Sequence, residues 1–222
     1  MDDSVNGPPT VRKLRLLICG ITSIVGAMSS LPFLRNKQQE VELSGLLRKF
    51  FHSLISLSTL MNVKLACLVK NKLRINLERY KQDLCLSHKT EMPKWQQFAT
   101  ETGYSDNSKI IMFTPDQIDT GLTEDDNLRS LSRNWAALSS DIRNFSHQRG
   151  WLDSYDELTL RLSLAAETGE LAETVQWKRR DTPISELPSD RITSICEEIA
   201  DLAIYGFHYD RTLHGLRSCG IF

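Results

Sequence analysis

The chain has little with which to cross-link itself, hold zinc or bind by bulk charge. Its five cysteines (Cys19, Cys67, Cys85, Cys196 and Cys219) are scattered over 222 residues, odd in number and without C-x-x-C spacing. That pattern argues against a disulfide framework or a zinc ribbon, and fits free thiols in a reducing, cytoplasmic setting. His147, His208 and His214 form no ligand pattern with those cysteines. Charge of one sign is also missing. The formal net charge is −1 and there is no long basic run, so nucleic acid is not an expected partner. The sequence has no glycine-rich phosphate loop, and no Ser/His/Asp or Cys/His arrangement that would supply a nucleophile. Convincing β alternation is absent as well, which leaves helical periodicity as the organising signal.

One long stretch lacks charge altogether. Leu16 to Leu34 is a run of 19 uncharged residues preceded by Arg12, Lys13 and Arg15. Its length and flanks fit a signal peptide or a short membrane anchor. Gly20, Gly26, Pro32, several Ser/Thr and a late start speak against that reading, so a buried or poorly structured apolar segment is expected. Membrane association through residues 12–34 is the alternative. Ahead of it, residues 1–11 contain Gly7, Pro8 and Pro9 and read as disordered.

Apolar residues at helical spacing mark helices over Glu40–Met61 and from Lys64 to about Leu84. Residues 86–126 mix Pro93, Gly103, Pro115 and Gly121 with polar residues and read as a linker, with one short helix near Trp95–Thr100. Helices then return over about 127–148, 155–179 and 189–212, with Ser189 or Asp190 as the N-cap of the last. The expected class is an all-α helical bundle.

Two of these helices carry paired carboxylates. Glu167 and Glu170 lie three residues apart in Ala166-Glu167-Thr168-Gly169-Glu170-Leu171-Ala172-Glu173, and Glu198 and Asp201 do so in Glu198-Ile199-Ala200-Asp201. Residues i and i+3 share a helical face, so each pair projects together. Four facing carboxylates raise one another's pKa unless a cation neutralises them. An all-oxygen donor set suits magnesium or manganese. A pair of solvated helix faces is the plainer reading of each motif alone.

Trp151, the Glu167–Glu173 segment, Val175-Gln176-Trp177-Lys178 and the Glu197–Tyr205 segment together resemble the all-α nucleoside triphosphate pyrophosphatases, the MazG-like dCTP pyrophosphatases in particular. The resemblance runs from Phe145 to about Leu213. It implies magnesium-dependent hydrolysis of dCTP or a related nucleotide to the monophosphate and pyrophosphate. Glu167, Glu170, Glu198 and Asp201 would be the metal ligands and catalytic carboxylates. On periodicity alone Trp151 and Trp177 are core residues; the resemblance makes them, with Tyr205, the surface on which a base stacks. Tyr155 stands where close relatives have histidine. A homo-oligomer, dimeric or tetrameric, is also implied.

The first half resembles the same family in a different order. Val63 to Tyr80 is similar to the family's last helix, with Lys72, Asn76 and Tyr80 in a Lys-xxx-Asn-xxx-Tyr pattern. Upstream, Glu42-Leu43-Ser44-Gly45 has glycine in place of the aspartate of an ExxD motif, and Arg74 replaces an acidic residue. The organisation expected is thus a tail and apolar segment (1–35), a partial copy of the family's C-terminal helices (36–85), a linker (86–126) and a MazG-like domain carrying the metal motifs (127–222). Either the helix bearing Lys72 and Asn76 folds back to complete the bundle, as a permuted last helix facing the phosphates, or the bundle is incomplete. The resemblance accordingly implies an enzyme, with a degenerate, non-catalytic interaction subunit as the alternative.

Overall fold

Helical periodicity is realised as six α-helices in a computed structural model that describes residues 8–33, 36–80 and 121–214. They are α1 (Val11–Ser30), α2 (Lys37–Leu60), α3 (Leu65–Arg79), α4 (Glu124–Gln148), α5 (Glu157–Glu173) and α6 (Ser189–His214). Short 3-10 turns occur at Leu152–Ser154 and Ile184–Glu186. No strand occurs among the described residues, where Thr10 and Pro183 form an isolated β-bridge. The chain is an all-α bundle. Most of the linker and the short helix expected near Trp95–Thr100 lie outside the described residues.

Polar caps set several helix starts where an apolar stripe begins. Asn36 Oδ1 accepts from Gln39 N–H at 3.0 Å, Thr123 Oγ1 from Asp126 N–H at 3.2 Å, and Asp156 Oδ1 from Thr159 N–H at 2.7 Å. Each satisfies an amide that the first turn leaves without a helical partner. The Thr123 cap starts α4 at Glu124, inside the stretch read as linker. At α6 neither Ser189 nor Asp190 is the cap. The helix begins at Ser189 and the Pro188 carbonyl accepts from Arg191 and Ile192.

Helices α1, α2, α5 and α6 form the centre: α1 packs on α2 and α5, and α6 on α5 and α2. Helices α3 and α4 pair with each other and lie against α6, with α4 also touching α2. A single hydrophobic core draws on all six, with Leu14, Phe50, Leu68, Leu138, Leu164 and Ile199 among its buried members. Burying each large apolar side chain contributes about 1.5–3 kcal/mol. Where α2 crosses α6 the Phe50 and Phe51 rings press on the α6 backbone. A Cβ built on Gly206 would lie 2.8 Å from Phe50 and 3.0 Å from Phe51, so only glycine fits.

The uncharged N-terminal run is not a separate tail. Its residues through Ser30 lie in α1, where Leu14, Ile18, Ile21, Val25 and Met28 are buried on one stripe. Its ends are tied to distant chain. Val11 and Arg12 N–H donate to the Thr182 and Arg180 carbonyls, and Ile184 N–H donates to Pro9, so order begins before residue 11. Arg15 donates to the Val175, Gln176 and Lys178 carbonyls. At the other end, buried Arg161 donates to the Ser29, Leu31 and Pro32 carbonyls left open where α1 stops. The same guanidinium bonds Tyr209 Oη at 3.1 Å and Glu157 Oε1 at 2.5 Å. Among the described residues no single helix is long and apolar enough to cross a membrane.

The α2–α3 corner is held by a residue from another helix. Asn62 takes a positive φ of 57° there, and fully buried Asn127 of α4 reaches in. Its Oδ1 accepts from Leu65 N–H at 2.9 Å, and its Nδ2 donates to Ser58 Oγ at 2.8 Å and Thr59 Oγ1 at 3.0 Å. That contact fixes the direction in which α3 runs onto α6.

Candidate functional site

The i, i+3 spacing on α6 and the antiparallel packing of α5 bring carboxylates together across the helix pair. Glu167, Glu198 and Asp201 each offer an oxygen, and these three atoms lie within 4.8 Å of one another. All three residues are half-buried. Glu170 is outside the group and exposed. Glu170 follows Glu167 by the same three-residue step but is solvent-exposed, so it stands at the rim of the cluster. Its charge still acts on both Glu167 and Glu198.

Electrostatics follow from burial and crowding. Burial, then the charges of Asp201, Glu170 and Glu198, push the Glu167 carboxyl up to about 8. Burial and Asp201 push Glu198 up to about 7. One oxygen of this carboxyl, Glu198 Oε2, is buried and has no hydrogen-bond partner among the described residues. A buried acceptor left without a donor is costly, and a cation in the cluster would satisfy it. Hard carboxylate oxygens fit magnesium or manganese, so the donor set and this orphaned atom agree.

Helix α3 supplies the cationic side. Lys72 is only 3% exposed, with Nζ 2.5 Å from Asp201 Oδ2 and 3.2 Å from Glu197 Oε2. Burial pulls the ammonium down, but Asp201 and Glu197 together hold it above its ordinary range. Burial drives Asp201 upward against the pull of Lys72. The ionised pair is the state supported here, because an ammonium in direct contact with two carboxylates is compensated where it lies.

Asn76, one turn on from Lys72, is half-buried on the same face. Arg79 is a further turn along that face, and its charge acts on Asp201. Arg79 and Glu197 lie outside the paired-carboxylate and Lys-xxx-Asn motifs. The i, i+4, i+7 spacing of Lys72, Asn76 and Arg79 would have exposed the first, and adjacency to Glu198 the second. Arg74, two residues from Lys72, projects from a different side of α3.

Aromatic residues line the neighbouring side. Half-buried Tyr205, one turn beyond Asp201, is raised by burial and then by the charge of Glu167. Its ring lies 6.2 Å from Tyr155, whose phenol burial raises to about 12. Trp151 meets Tyr80 edge-on at 5.1 Å and Phe145 at 5.5 Å. Behind Tyr155, ring to ring at 4.5 Å, is His208, which burial and Arg211 depress to about 4. His208 Nε2 and Ser146 Oγ are 3.1 Å apart, and both residues are buried.

Trp177 is placed differently. Helix α5 stops at Glu173 rather than running to residue 179. Thr174 Oγ1 donates to the Leu171 carbonyl, and Arg15 takes the carbonyls of the turns that follow. Trp177 stands on those turns, 87% exposed and apart from the ring cluster. The structure therefore brings together Glu167, Glu198, Asp201 and Lys72, with Tyr205 beside them, and leaves Glu170 at the rim and Trp177 in solvent.

No protein-family model matches the chain, and no curated protein or solved structure matches it.

Proposed function

We propose that the chain is a divalent-cation-dependent nucleoside triphosphate pyrophosphatase of the MazG-like kind, acting on dCTP or a related nucleotide. The observation that carries this reading is the convergence of Glu167, Glu198 and Asp201 within 4.8 Å, beside a buried lysine contributed by a helix from the other half of the chain. Glu167, Glu198 and Asp201 would hold magnesium or manganese, and Glu170 is close enough in charge to join them from the rim. A bound divalent ion supplies charge neutralisation for a triphosphate and Lewis acidity for attack of water on phosphorus.

The remaining roles belong to side chains. Lys72, Asn76 and Arg79 offer donors along one face of α3 to the phosphate oxygens. Tyr205, Tyr155 and Trp151 give a planar base an apolar wall on which to stack. Tyr80 steadies Trp151 from the end of α3. The buried, unpartnered Glu198 oxygen and the upward shift of Glu167 both favour a cluster made to hold a cation rather than a solvated helix face. In this reading α3 takes the place of the family's last helix, and the chain order is permuted.

The rival reading is a non-catalytic relative that acts as an interaction subunit. The exposure of Trp177 favours it, since an aromatic ring standing in solvent is not part of a base pocket within this chain. Hydrolysis separates the two. Incubated with a panel of nucleoside triphosphates and magnesium, the enzyme releases pyrophosphate and monophosphate, does so best with one pyrimidine deoxynucleotide, and stops when magnesium is chelated. An interaction subunit releases none under any condition. Release of orthophosphate and diphosphate instead would contradict the assigned bond cleavage.

A further inference from the structure

Burying a lysine is unfavourable unless its charge is met by partners in place. Lys72 meets two, and they differ in kind. Asp201 belongs to the three-oxygen cluster, while Glu197 does not. The ammonium therefore touches one of the oxygen donors a divalent cation would need, and has a second seat 3.2 Å away on a carboxylate outside that cluster. Its helix has little room to withdraw. Leu68, Val69 and Asn71 of α3 are buried around it, and Asn127 pins the start of α3 through Leu65. The side chain can pivot between Asp201 and Glu197, but the charge stays beside the cluster.

We propose that Lys72 is the resident counter-ion of the carboxylate cluster, a tethered cation that opposes divalent-cation binding at Asp201 and shifts onto Glu197 when such a cation binds. This rests on the reading that the cluster holds a divalent cation, and adds a regulation of that site. With no divalent cation bound, Lys72 neutralises part of the cluster and holds α3 on α6. With one bound, the displaced ammonium remains at the mouth, where an anionic phosphate would draw it further from Asp201. Cation and polyphosphate then favour each other's binding through one shared side chain.

The test is calorimetric titration of the whole protein with Mn2+ alone, without nucleotide. Lys72→Met should bind Mn2+ about tenfold more tightly than wild type, since a unit positive charge beside a divalent ion is removed. The same variant should melt at a lower temperature when metal-free, because the cluster has lost its counter-ion. Lys72→Arg, which keeps the charge, should bind Mn2+ like wild type. Glu197→Gln should weaken Mn2+ binding by removing the second seat, and that loss should shrink when Lys72→Met is also present. If Lys72→Met is too unstable to titrate, Lys72→Gln retains a polar head and should show the same tightening. Wild-type binding with unchanged or weaker binding in both neutral variants overturns this inference alone. No Mn2+ binding by wild type overturns the metal-site reading and this inference with it.

Discussion

Glu167 and Glu198 are carboxyls that the fold makes hard to ionise, raised to about 8 and about 7 by burial and by one another's neighbours. The consequence for stability has a definite sign. In the unfolded chain these groups lose their protons near the ordinary value of 4.5, whereas in the metal-free fold they keep them to higher pH. Between those limits the folded state binds more protons, so stability falls as pH rises. This contribution is fully present below about 4.5 and lost as pH passes through about 7 and 8. Metal-free protein should therefore melt lower at pH 8.5 than at pH 6, and Glu167→Gln should remove most of that difference. Saturating magnesium should flatten the slope, because a bound cation replaces the protons. Thermal melts at the two pH values check this; a slope unaffected by either treatment would show that the cluster does not govern it. At the same scale, the role of Lys72 depends on the fold, because its partner Glu197 is 125 positions away.

Two contacts between elements are sharp enough to predict losses. Asn127→Ala removes the acceptor for Leu65 N–H and the donor to Ser58 and Thr59, leaving buried polar groups without partners. Denaturant unfolding should show a loss of about 2–3 kcal/mol. Gly206→Val places methyl groups against the buried rings of Phe50 and Phe51. Overpacking of this kind should cost about 2–3 kcal/mol in the same measurement, and a neutral result would mean that α2 and α6 are not in close contact. Much at this scale was legible in the sequence. The helices and the i, i+3 pairs follow from local periodicity, because burial on one face repeats every three or four residues. The place of α1 did not. An uncharged run with basic residues ahead of it has the length and flanks of an anchor, and what ties it into the bundle is Arg15 reaching Val175, 160 positions on, and Arg161 reaching the far end of α1. The end of α5 was hidden for the same reason. Periodicity continues past Glu173, but Thr174 and Arg15 take the carbonyls needed to extend the helix, and Trp177 is left in solvent.

On the scale of the whole molecule, the partial copy and the metal-bearing domain read from the sequence share one core rather than standing apart. Helices α1 and α2 cover apolar faces of α5 and α6, and α3 brings Lys72 to Asp201. Residues 127–222 produced alone should consequently expose the faces of α5 and α6 that α1 and α2 bury, and should aggregate or remain unfolded. A stable, monomeric, helical fragment in circular dichroism and sedimentation would show that the first half is dispensable. The carboxylate cluster likewise belongs to the assembled bundle, since its carboxylates come from α5 and α6 and its lysine from α3. Whether that cluster is a metal centre is the claim on which the functional reading depends. Calorimetric titration with magnesium of wild type, Glu167→Gln and Asp201→Asn tests it most directly, because each amide keeps the size of the side chain and removes its charge. A metal centre predicts saturable binding by wild type and at least about a tenfold loss of affinity in each variant. Equal magnesium affinity in all three proteins would contradict it.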